Sequence, residues 1–316
     1  MAAARDHGGG LDAACALHGG RRTDWLDLST GINPTPYPLP PLPQDAWTAL
    51  PDAGATQALI AAARGVWRVP SGAEILPAPG ASALIARLPG IAAGGPVHIP
   101  GPTYNEHAAA FAAAGATVID APPAPGRTCV VVSPNNPDGR WWTAADLPEG
   151  APLTVIDESF ADIDPARSMV ALAERPGVII LKSFGKFWGL AGLRLGFAIG
   201  HPQTLAPLRD ALGPWPVSGP ALAIGAAALA DGAWTEATRV RLTRDAARLD
   251  GLMAPHGRLV GGTPLFRLYE TTDAAALRDR LAAHRIWSRI FPYSATWLRL
   301  GLPPATGWDR VAAALA

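Results

Sequence analysis

Lysine is almost missing from this chain. Its 316 residues include two, Lys182 and Lys186, against 24 arginines, and both fall in the stretch LKSFGKFWGLAGLRLG, residues 181–196. Arginine supplies charge, but its guanidinium stays protonated, whereas a lysine amine can lose its proton and attack a carbonyl. A chain that has shed lysine elsewhere and kept it here points to amine chemistry at this place. Cysteine is as scarce: Cys15 and Cys129 lie far apart, with no CxxC and no Cys/His ligand spacing. Neither a disulfide framework nor a metal site is legible, and a reducing cytoplasm is expected. Blocks of like charge are absent, and 26 basic residues balance 26 acidic ones. That argues against a nucleic-acid or anionic-membrane surface and leaves small anions to individual arginines. No stretch reaches about 18 uninterrupted apolar residues, and the start, MAAARDHGGGLDAACALHGGRR, lacks a basic beginning followed by a long apolar core. Neither a membrane span nor an export signal is expected.

What is present is material for a core. Hydrophobic residues make up 49% of the chain and charged ones 16%, enough for one large or two moderate domains. The 34 glycines and 33 prolines punctuate apolar segments without forming repeats, so disorder is not expected. Short apolar runs at 75–78, 97–100, 117–120, 129–132, 153–157, 178–181 and 195–199 read as strands, with helices at 81–88, 105–114 and 169–174 among them. Continuous apolar strands alternating with helices imply an α/β domain whose sheet is buried on both faces. The breaker-rich LGPWPVSGP, residues 212–220, precedes a long helical pattern over 221–252 and marks a domain boundary. Beyond it, strand-like runs at 265–269, 286–290 and 297–300 suggest a smaller α+β unit. The Pro-rich segment 33–43 has no periodicity and reads as an extended arm. The expected division is an arm over 1–45, a large domain over 46–212 and a small one over 213–316.

Lys186 closes a Ser-x-x-Lys arrangement with Ser183, and Arg194 follows eight residues on, with glycines at 185, 189, 192 and 196. A hydroxyl, an amine and a fixed cation near one turn suit a cofactor carrying both an aldehyde and a phosphate, which is pyridoxal 5'-phosphate. By itself, Ser-x-x-Lys is equally a pattern of serine hydrolases with a Ser nucleophile and a Lys base. Other features bear on the choice. Asp157 ends a strand-like run 29 residues before Lys186, where a carboxylate can keep a pyridine nitrogen protonated. Asn136, in SPNNPDG, offers an amide to a ring hydroxyl. Gly80-Ala81-Ser82 opens a helix, whose N-terminal N–H groups and dipole favour a phosphate. Tyr104, in GPTYNEH, can lie across a ring. Lys182 is read as an ordinary lysine ending a strand, and His18 to Gly20 as a turn.

In their order and spacing, GAS, PTY, NNPDG, DES, SFGK and GLRLG resemble the fold-type I pyridoxal-phosphate family, in its histidinol-phosphate aminotransferase branch. The resemblance implies a large domain with a mixed, mostly parallel seven-stranded sheet, a smaller α+β C-terminal domain, and a homodimer that builds its sites at the subunit interface. It implies Lys186 as the Schiff-base lysine, Asp157 on the pyridine nitrogen and Asn136 on the ring oxygen. Ala81, Ser82, Ser183 and Arg194 would hold the cofactor phosphate, with Tyr104 stacked on the ring. Two departures matter: Phe160 stands where the aminotransferases usually have Tyr, and Leu50-Pro51-Asp52 where they have a Tyr-Pro-Asp that reaches the partner's cofactor. The N-terminal pattern, His7-Gly8-Gly9 and then WLDLSTGINPTPYP, is similar to the L-threonine-O-3-phosphate decarboxylases of cobalamin biosynthesis, in which Phe after the Asp is also expected. That likeness implies release of CO2, with Arg299 on the substrate carboxylate, Arg289 on its phosphate, and His7 and Asn33 closing over it. The rivals are an aminotransferase of the histidinol-phosphate type and a non-catalytic partner in cobalamin assembly.

Overall fold

The computed structural model describes residues 7–316. They group into two compact units: residues 36–136 with 140–236, and residues 7–35 with 137–139 and 237–316.

The larger unit is built on a seven-stranded sheet in the order Glu74–Ala78, Gly196–Gly200, Val178–Ser183, Thr154–Asp157, Thr128–Val132, Val97–His98, Val118–Ile119. Only Gly196–Gly200 runs against its neighbours. All seven strands coincide with the apolar runs of the sequence. Thr128–Val132, Thr154–Asp157 and Gly196–Gly200 are buried at every residue, as strands covered on both faces must be. The parallel register pairs Val132 with Asp157 and Asp157 with Leu181. The chain therefore leaves neighbouring strands along one carboxyl edge at Val132, Asp157 and Ser183, the edge where open α/β sheets hold ligands.

Local chemistry sets the helices. Asp52 caps Ala53–Trp67 by accepting from the N–H groups of Gly54 and Ala55 at 3.1 and 3.3 Å. The expected helix over 81–88 is shorter, Ala81–Ile85, and the segment 169–174 forms a 3₁₀ turn over Val170–Glu174. The long pattern over 221–252 is two helices, Gly219–Ala230 and Gly232–Met253. They break at Asp231, whose carboxylate accepts from the Trp234 N–H at 2.9 Å. Gly219–Ala230 packs within the larger unit, where a Cβ on Gly225 would meet Leu59 and Leu195. The compact units thus divide at 236/237, later than the 212/213 boundary read from the breaker-rich segment.

The smaller unit has an antiparallel sheet in the order Arg289–Phe291, Ser294–Gly301, Phe266–Thr271, Gly257–Thr263. Leu26–Asp27 pairs in parallel with Ile286–Trp287. The single strand expected over 286–290 is therefore split at Ser288 between two sheets. Helix Leu11–His18 packs Leu11 and Ala14 against Trp25 and Ala282. Residues 33–43 contain neither helix nor strand. Among the described residues, no helix is long and apolar enough to cross a membrane.

Candidate active site

Ala81, Ser82, Tyr104, Asn136, Asp157, Ser183, Lys186 and Arg194 line one cavity of the larger unit, together with Phe160. Asp157, at the end of its strand, is 2% exposed. One carboxylate oxygen accepts from the Ser159 N–H at 2.9 Å and its hydroxyl at 2.5 Å, and the other contacts His107 Nε2 at 2.8 Å. Burial alone would push this carboxyl up. The bonds from His107 and Ser159 outweigh it and hold the group below its ordinary value, so it stays ionised.

His107 is fully buried in the first turn of helix Asn105–Ala113, and its ring meets that of Tyr104 edge-on at 6.0 Å. Asn135, beside Asn136, ties two loops together: its amide donates to the Pro102 carbonyl at 3.0 Å and its oxygen accepts from the Thr103 hydroxyl at 2.6 Å. Tyr104 follows Thr103 and Asn136 follows Asn135, so this cross-link ties together the backbone that carries both. Lys186 Nζ lies 5.4 Å from the centre of the Phe160 ring. Behind the Lys186 loop, Trp188 stacks between Phe184 and Trp234, at centroid distances of 4.9 and 5.5 Å.

At the far side of the cavity, Arg194 takes a left-handed backbone conformation, with φ 53°. Its guanidinium lies against Gly80, where a Cβ would fall 2.7 Å from Nη2. Gly80 has φ +85°, and a Cβ on Gly196 would fall 2.3 Å from the backbone nitrogen of Ala81. Glycine at both positions lets a cation and a helix start share one small space. This donor set fits pyridoxal phosphate. A carboxylate has about four acceptor directions, and Ser159 and His107 occupy three on Asp157, which leaves one for a pyridinium N–H. The Arg194 cation, the Ser183 hydroxyl and the Ala81 helix start suit a phosphate, and Lys186 presents the amine.

The four remaining residues belong to the smaller unit. Arg299 is 3% exposed, and its Nη2 donates to the Ser29 carbonyl at 2.5 Å. In the antiparallel register its cross-strand partner is Arg289. Like charges placed opposite one another are unfavourable, and an anion between them offsets the cost. His7 is exposed and adjoins Gly8, at which a Cβ would lie 2.4 Å from the Ser29 carbonyl oxygen and 3.3 Å from Arg299 Nη2. Asn33 is 2% exposed and accepts from the Thr35 N–H at 3.0 Å.

The sequence model for Aminotransferase class I and II matches residues 23–315. The chain belongs to that family. Threonine-phosphate decarboxylase of a Sinorhizobium species is 43% identical over 332 residues, covering 100% of this chain and 99% of that protein. Threonine-phosphate decarboxylase of Pseudomonas aeruginosa is 41% identical, covering 98% and 97%. Among solved structures, histidinol-phosphate aminotransferase from Sinorhizobium meliloti, in complex with pyridoxal-5'-phosphate, superposes with a TM-score of 0.81 at 22% identity, over 97% of this chain and 93% of its own.

For this member of the aminotransferase class I and II family, sequence reasoning missed His107 and Asn135. Asn135 adjoins Asn136, which is a local signal, whereas His107 stands three residues after Tyr104 and is singled out only by its contact with Asp157. It also misread Lys182, which is fully buried and not an ordinary strand-end lysine. His18, read as part of a turn, ends helix Leu11–His18, and its ring lies 5.9 Å from those of Trp25 and Trp287.

Proposed function

We propose that the protein is a carboxy-lyase that uses pyridoxal phosphate to convert L-threonine O-3-phosphate to (R)-1-aminopropan-2-yl phosphate and CO2 in cobalamin biosynthesis. The observation that carries the reading is end-to-end likeness to threonine-phosphate decarboxylases. When bound, pyridoxal phosphate supplies an aldehyde for covalent attachment and a ring that accepts electrons from the breaking bond. Asp157, kept ionised, holds a proton on the ring nitrogen and so keeps that ring electron-poor. Lys186 would provide the attaching amine and would deliver a proton from Nζ to the carbon that has lost CO2. Phe160 withholds the hydroxyl that a tyrosine would aim at the ring oxygen.

Arg299 orients the substrate carboxylate, and Arg289 holds its phosphate with a planar fork. By fixing the substrate carboxylate, Arg299 would decide which bond is presented to the bound cofactor for cleavage. Too tight a grip on the carboxylate would stabilise the ground state, so Arg299 must hold without over-stabilising. We read the protein as a cytoplasmic homodimer. Exposed Leu39, Trp47, Leu50 and Trp215 border one apolar groove of the larger unit, which supports a covering copy; the free thiols of Cys15 and Cys129 suit a reducing compartment.

Purified protein loaded with pyridoxal phosphate should release CO2 from L-threonine O-3-phosphate with no 2-oxo acid present. A strict need for 2-oxoglutarate, without CO2, would establish the aminotransferase reading instead. A protein that stays colourless in excess cofactor would favour the non-catalytic partner; an enzyme shows a visible band that Lys186→Ala abolishes.

A further inference from the structure

One contact joins residues 208 positions apart: Arg241 Nη2 donates to Asn33 Oδ1 at 2.8 Å. Arg241 stands on helix Gly232–Met253 with a side chain 22% exposed, and its Nη1 lies 3.8 Å from the Asp245 carboxylate one turn along. The same oxygen of Asn33 accepts from the Thr35 N–H at 3.0 Å. Two donors on one amide oxygen decide which way the carboxamide faces. Turning it over would set its NH2 against a guanidinium and a backbone N–H, donor against donor, at a residue that is itself 2% exposed. Its donor edge is thereby directed away from Arg241 and Thr35.

We infer that Arg241 is a positioning residue that fixes the Asn33 amide so that it presents a donor to the anionic substrate. The inference rests on the reading that Asn33 contacts substrate. Arginine suits the task because its rigid fork can serve Asn33 with one nitrogen and face Asp245 with another, a division that one ammonium meets less well. Asp245 also accepts from its neighbour Arg244 at 3.0 and 3.1 Å.

The test is a double-mutant cycle on the holoenzyme with L-threonine O-3-phosphate, in which KM, kcat and the visible cofactor band are read for Arg241→Met, Asn33→Ala and the pair. A hydrogen bond to a charged group suggests that Arg241→Met raises KM about tenfold or more, with the cofactor band unmoved and kcat changed far less. In the Asn33→Ala background the same substitution should change KM less than about twofold, because the group it positions is gone. Arg241→Lys should recover part of the loss, and serves as the readout if the methionine variant does not fold. An Arg241→Met effect that persists in full beside Asn33→Ala, or a normal KM in Arg241→Met, overturns the inference. A normal KM in Asn33→Ala alone overturns instead the reading on which it rests.

Discussion

The Lys182 ammonium lies 2.7 Å from the Glu158 carboxylate, with both side chains at most 2% exposed. Glu158 also accepts from the Ser168 hydroxyl and the Met169 N–H, each at 2.6 Å. Glu158 follows Asp157, and Lys182 precedes Ser183. The pair thus joins two adjacent strand ends that each deliver a residue to the cavity, which explains why the second lysine of the chain stands where it does.

Removing one partner leaves a buried charge without its counterion. Lys182→Met should cost about 3–5 kcal/mol of stability, read as a lower urea midpoint. Lys182→Met with Glu158→Gln should recover part of it, since glutamine can still accept from Met169. A methionine variant of wild-type stability would mean that the pair contributes nothing.

His107→Phe removes a charge-assisted bond to Asp157, worth about 1.5–3 kcal/mol. Cofactor dissociation, followed by loss of the visible band on dilution, should rise ten- to a hundredfold. Asp157 also sets an acid limit. Its folded value lies below the ordinary 3.8, so its contribution to stability is present above that value and lost as pH falls through the folded one. His107→Phe raises the folded value, and the acid-unfolding midpoint should move up.

On the proposed reading, Phe160→Tyr would give the ring oxygen a donor, and negative charge there would become easier to hold. The pH midpoint of the visible band should fall by about one unit. An unchanged titration would mean that residue 160 does not face that oxygen.

Gly80→Ala and Gly196→Ala should differ in kind. A Cβ at 80 meets the movable end of Arg194 and adds strain of about 1–3 kcal/mol, because φ 85° with ψ 152° is a conformation that glycine alone adopts readily; cofactor retention should suffer more than folding. A Cβ at 196 meets backbone at Ala81. Its melting temperature should fall further than that of Gly80→Ala, and the opposite order would contradict the packing described.

The sheet was legible because strands such as Thr128–Val132 are covered on both faces and so are apolar without interruption. The cavity residues were legible because each sits in a short motif at a strand or helix end. What escaped depends on partners distant in sequence. His107 meets Asp157 across 50 positions and Lys182 meets Glu158 across 24, and nothing local marks either. Arg241 is one arginine among several on its helix until Asn33 is placed beside it. The break at Asp231 was hidden because the apolar pattern continues through it, although Asp-Gly is the kind of pair that ends one helix and caps the next.

The most direct test is turnover of L-threonine O-3-phosphate in D2O, with the amine product read by NMR. Decarboxylation with proton return from Lys186 predicts one deuterium at the carbon that lost CO2, with the original hydrogen retained beside it. Loss of that hydrogen, with a 2-oxo product formed in its place, would contradict the account.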